Sequence, residues 1–175
     1  MSGRVYRDER SWKVAVHRSV LENVTVLQTL TRILSAMQAR LEWQQAVRFD
    51  AETETGHTVV IDGPEDSGGN NAGPRPMELM LLGVAGCTSY DVVHILGKSR
   101  VTIDGCTTQI RATRANEPPQ VFETVHIHFT VSGQGLDEKK VARAVEFSAE
   151  KYCSASIMLQ RAGVDVTHSF EVVAS

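Results

Sequence analysis

Two cysteines stand where a thiol could react. Cys87 follows the small residues Gly83, Ala85 and Gly86 inside an apolar run, and Cys153 lies in the segment EKYCSASIML. A thiolate is a nucleophile that peroxides oxidise to a sulfenic acid, and a second thiol can condense with that acid to a disulfide. Two such residues on two helices therefore suit reversible redox chemistry. The plain alternative is packing, because an unpaired cysteine is a small hydrophobe often found in cores. Cys106, following Gly105 at the start of a strand, is read as a packing residue. Asp91 comes one helical turn after Cys87, where its charge would raise a thiol pKa rather than lower it. His126 and His128 share one face of a strand, and His168 lies in the last strand. No cysteine or carboxylate stands at matching metal-ligand spacing beside them, so no metal site and no cofactor are expected.

The bulk properties narrow the classes. The chain has 175 residues, 42% of them hydrophobic, which suits one domain with a real core. A net charge of −3 argues against a nucleic-acid partner, which calls for a basic patch or stripe. Three widely spaced cysteines do not make a secreted disulfide scaffold and suit a reducing, cytoplasmic setting. The longest uninterrupted apolar stretch, Leu79 to Cys87, is far short of the roughly 20 residues of a membrane span, so no membrane partner is expected. The N-terminus mixes Arg4, Arg7 and Arg10 with Asp8 and Glu9, unlike a signal peptide.

The elements that must carry the cysteines follow from pattern. Alternation predicts strands over 38–43 and 46–54, and HTVVID, residues 57–62, predicts a third. Residues 63–75, rich in Gly, Asn and Pro, read as a loop long enough to serve a function. Pro76 suits the first turn of a helix running to about Leu96 and ending at Gly97. Strands follow over 100–115 and 120–132, joined by the turn Asn116-Glu117-Pro118-Pro119. Asp137 can cap a second long helix over 138–162, on which Val141, Val145, Ser148, Ala149, Tyr152, Cys153 and Ser156 share one face. Residues 164–174 make the last strand. The expected fold class is α+β in the order β-β-β-α-β-β-α-β, with an antiparallel sheet and two long buried helices.

At these residues the chain resembles a known family. The stretch from Pro76-Met77-Glu78-Leu79 to Gly86-Cys87 resembles the first cysteine helix of the OsmC/Ohr proteins, and Glu150-Lys151-Tyr152-Cys153-Ser154 resembles their second cysteine motif. The YhfA-like subgroup is the most similar, through MQAR at 37–40, AVEFSAEKYCS at 144–154 and THSFEVV at 167–173. The resemblance implies an intertwined homodimer with the two cysteines at its interface. It implies organic hydroperoxides as substrates and a thiol reductant as second partner. Cys87 would be the peroxidatic residue and Cys153 the resolving one. An arginine and a glutamate would activate Cys87: Arg48, or alternatively Arg75, and Glu78. The family's glutamate directly follows the helix-opening proline, whereas here Met77 holds that place and Glu78 comes one later. One residue turns a side chain by about 100° around a helix. A non-enzymatic or ligand-binding member with a cysteine-lined interface pocket, or a plain structural dimer, are the alternatives.

Residues 1–36 carry six basic and three acidic side chains, unlike the acidic remainder, and the resemblance begins at Met37. The chain is therefore expected to divide into an extension, 1–36, with a plausible helix over 18–36, and an OsmC-like domain, 37–175. Met37 could itself be an initiator. Mass spectrometry of the protein made from its native gene should then give few tryptic peptides from before Arg32; abundant ones would refute the idea.

Overall fold

The computed structural model describes residues 37–174. The extension and its expected helix lie outside them. By contacts the chain forms two units: residues 37–40 with 52–57 in one, and residues 41–51 with 58–174 in the other. In the smaller unit a tight turn closes on the Thr53 N–H donating to the His57 carbonyl at 2.9 Å, with Gly56 in the left-handed region.

Three strands, β1 (Ala39–Gln45), β2 (Arg48–Thr53) and β3 (Thr58–Ile61), form one sheet in that order. The link to the first helix is a built loop. The buried Asp62 carboxylate accepts backbone N–H bonds from Gly63 at 2.8 Å, Asn70 at 3.0 Å and Ala72 at 3.1 Å. Gly69 packs so closely on the Gly63 carbonyl that a Cβ would collide with backbone. Composition alone reads this segment as irregular and gives no sign of the acid that organises it.

The larger architecture is a second sheet covered by helices. Helix α1 spans Pro76–Lys98, followed by β4 (Gly105–Arg114), β5 (Phe122–Ser132), α2 (Glu138–Phe147), one wide π-helical turn (Ser148–Tyr152), α3 (Ser154–Arg161) and β6 (Asp165–Val173). The sheet order is β4-β5-β6, with β4 antiparallel and β6 parallel to β5. Alternation places Val125, Ile127, Phe129 and Val131 of β5 on one fully buried face. They pack with Val84, Val92 and Leu96 of α1 and with Val141, Ala144 and Val145 of α2.

The mixed α+β class stands, with three differences in detail. The second sheet is not wholly antiparallel, because α2 and α3 carry the chain over the core and return β6 parallel to β5. The single helix expected over 138–162 is two helices. Residues 100–104 connect α1 to β4 rather than extending that strand, and Gly97 sits inside the last turn of α1. Taken as a whole helix, α1 is also long and apolar enough to cross a bilayer, a property the uninterrupted run Leu79–Cys87 understates. Its Val84–Leu96 face is instead spent on the sheet.

Three backbone donors hold Asp62 below the usual carboxylate range, with Arg48 adding a smaller pull the same way. A depressed pKa contributes stability that is present above the unfolded value and lost as pH falls through the folded one. Asp62→Ala should therefore lower the urea midpoint at pH 7. The gap from wild type should shrink as the pH is taken below about 4; a gap unchanged by acid would contradict the charge-based account.

Candidate functional site

The start of α1 is fixed by Pro76 at its first turn and by Glu78, whose Oε2 accepts the Arg75 N–H at 2.9 Å. From there the helical repeat buries Val84, Thr88, Val92 and Leu96. Thr88 turns its hydroxyl back onto the Val84 and Ala85 carbonyls at 3.1 and 3.0 Å. Ser89 ties the helix to β4 through Thr108 at 2.6 Å. Cys87 and Asp91, four residues apart, flank this face and are both half-buried.

The break in the second helix delivers Cys153. After Phe147 the chain makes the wide turn Ser148–Tyr152, and Cys153 adopts an extended backbone at φ −71°, ψ 99°. Its N–H donates to the Ser148 carbonyl at 2.9 Å. Its Sγ caps α3, accepting the Ser156 N–H at 3.4 Å. Ser148 Oγ reaches across to α1, 3.3 Å from the Thr88 carbonyl and 3.5 Å from Asp91 Oδ2. No glycine or proline marks this break, so periodicity runs straight through it. Wide turns of this kind are frequent at functional sites.

The result is a convergence of three groups. Cys87 Sγ, Cys153 Sγ and one Asp91 carboxylate oxygen all lie within 4.8 Å of one another. Cys153 is fully buried. Its thiol is pushed up to about 12, chiefly by burial, with Cys87 and Asp91 raising it further and the Ser156 N–H opposing. Burial also raises Asp91, against the pull of Ser148 and His94.

The other residues singled out from sequence go elsewhere in the chain. Glu78 caps α1 and lines an open cavity of about 350 Å³ with Arg75, Leu81, Arg114 and Phe122. Arg48 holds Asp50 at 3.3 Å. Glu78 is not a member of the thiol cluster. Cys106 is half-buried on β4, its thiol raised by burial. His126 spends both ring nitrogens on Thr167 and Ser169 at 2.8 Å, and His128 bonds Ser169 at 2.8 Å, which makes a polar ladder on the outer sheet face. His168 lies on the opposite face, and burial lowers its pKa. The sequence places Asp91 beside Cys87 and Ser148 on the Cys153 face, but not the approach of Ser148 Oγ to Asp91 Oδ2 at 3.5 Å. The four-residue interval from Cys87 to Asp91 was the available signal.

Fold and site define a mixed α+β protein with a buried dithiol and an adjoining carboxyl group. The sequence profile of the OsmC-like proteins matches residues 68–169. Protein YhfA of Escherichia coli strain K12 is 43% identical over 139 residues, covering 79% of this chain and all of that protein. The chain thus belongs to the OsmC-like family. Among solved structures, a hypothetical protein from Aquifex aeolicus VF5 superposes with a TM-score of 0.71 at 27% identity, over 81% of this chain and 99% of that one. An organic hydroperoxide resistance protein OsmC from Legionella pneumophila shares the fold, with a TM-score of 0.60 at 21% identity over 79% of this chain and 98% of that one.

Proposed function

We propose that this protein is a cytoplasmic thiol redox protein that reduces organic hydroperoxides. The observation that carries the reading is the juxtaposition of an accessible and a buried thiol. Cys87 is half-buried and Cys153 is sealed, with their sulfurs within 4.8 Å. The difference in exposure supports the roles: the peroxide reaches Cys87, and Cys153 resolves it. In the first step the Cys87 thiolate attacks the peroxide oxygen, the O–O bond breaks, and the protonated alkoxide leaves as an alcohol. In the second, Cys153 displaces water from the Cys87 sulfenic acid to give a disulfide, which an external dithiol reopens. The naming of fold neighbours from Legionella pneumophila and Elizabethkingia anophelis as organic hydroperoxide resistance proteins supports the substrate class.

The working unit is a homodimer formed over α1. Met80, Leu82, Tyr90 and Val93 are exposed large apolar residues on that helix, Tyr90 at 71%. An apolar face of this kind marks an interaction surface. The activating roles that the resemblance gives Arg48 and Glu78 would be met at that interface, since within one chain these residues serve Asp50 and the helix cap. Residues 37–175 form the OsmC-like domain and 1–36 an appended segment, in keeping with 79% of this chain accounting for the whole of YhfA.

A ligand-binding role is the second reading, favoured by a dithiol that meets a carboxyl group. Steady-state assays separate the two. With dithiothreitol as reductant, Cys87→Ser should reduce cumene hydroperoxide consumption to the uncatalysed background. Consumption at the wild-type rate would end the peroxidase reading.

A further inference from the structure

We propose that Asp91 is the proton carrier of disulfide formation: its carboxylate takes the Cys153 thiol proton as that sulfur attacks Cys87 Sγ, and hands it to the departing oxygen. The proposal rests on the redox reading above and gives it a base at the resolving step. The balance is closed. Cys153 supplies an electron pair to the new S–S bond, the S–O bond of the sulfenic acid breaks toward oxygen, and the proton leaving Cys153 through Asp91 completes a water molecule. Asp91 ends as it began, a carboxylate, and no further oxidant or reductant enters.

Three observations carry this. The first is placement: one Asp91 oxygen lies within 4.8 Å of both reacting sulfurs. That is within reach of a hydrogen bond after a side-chain rotation, or of a single bridging water. The second is need. Burial pushes the Cys153 thiol well above its free value, so it rests protonated at pH 7 and must lose its proton as it reacts. The Ser156 N–H already on Cys153 Sγ can stabilise the developing thiolate but cannot accept a proton.

The third is the setting of the carboxyl group. Ser148 Oγ approaches it from the wide turn at 3.5 Å, and His94 acts on it from α1. Asp91 also lines an open cavity of about 390 Å³ with His94, Lys98, Phe147 and Tyr152, which gives it proton exchange with solvent. Burial holds Asp91 above the ordinary aspartate value, closer to the working pH of a proton carrier. On this account the wide turn at 148–152 has a chemical purpose. It brings both the thiol and the serine that orients its base against α1.

A test without peroxide isolates the step. One equivalent of methyl methanethiolsulfonate places a methylthio group on Cys87, and attack by Cys153 then expels methanethiol and leaves the internal disulfide. Both events are followed by intact-mass spectrometry in a Cys106→Ser background. In Asp91→Asn the first transfer should be as fast as in wild type or faster, since a charge that disfavours the Cys87 thiolate is gone, while disulfide closure at pH 7 should slow at least tenfold. The deficit should close as pH rises toward that of Cys153 ionisation, because hydroxide replaces the missing base. Asp91→Glu should recover part of the rate. Closure at the wild-type rate in Asp91→Asn overturns the proposal, as does a deficit that stays constant with pH or a wild-type protein that forms no internal disulfide. Because no hydroperoxide is used, loss of peroxidase activity with intact, Asp91-dependent closure would count against the function and leave the proton carrier standing.

Discussion

The packing of α1 on the second sheet is the constraint from which the site follows. Once Val84, Thr88, Val92 and Leu96 are pressed toward Ile127 and Phe129, the rotation of the helix is fixed. With about 100° between successive residues, Cys87 and Asp91 can point only along the flank of that face. Ser89 bonded to Thr108 locks the same rotation from the β4 side. The cysteine is then too deep to be a surface thiol and too shallow to be sealed, which is the compromise a reacting thiol needs.

The partner thiol is placed by the opposite means, a loss of regularity. A continuous helix would have kept the Ser148 and Cys153 backbones in one ladder. The wide turn instead frees Cys153 to cap the next helix and lets Ser148 reach α1 at the Thr88 carbonyl. Burial then makes Cys153 a poor acid. The site pairs an approachable sulfur with a reluctant one and sets a carboxyl group beside them. Charge does here what an adjacent cation would do in reverse: a carboxylate disfavours thiolates at rest and is available to receive a proton in motion.

What the sequence disclosed divides along physical lines. The strands, the start of α1 at Pro76 and the two cysteines were legible, because period-2 alternation, a helix-opening proline and motif residues are local signals; their division into two sheets was not. The break before Cys153 was not, because no breaker residue marks it and its cause is tertiary, in the Ser148 reach to another helix. The parallel return of β6 depends on where two helices pack, which alternation cannot encode. Asp62 read only as the end of a strand, because its donors come from up to ten residues away. Glu78 carried a motif-derived role, yet its local chemistry, an N3 glutamate reaching back to the Arg75 N–H, is that of a helix cap.

The central claim is that Cys87 is the residue a hydroperoxide oxidises. It is tested most directly by treating the Cys153→Ser protein with cumene hydroperoxide in the presence of dimedone and mapping the adduct by peptide mass spectrometry. The account predicts a single dimedone adduct on Cys87, formed in stoichiometric yield. An adduct on Cys106 instead, or no adduct on Cys87 while peroxide is consumed, would contradict it.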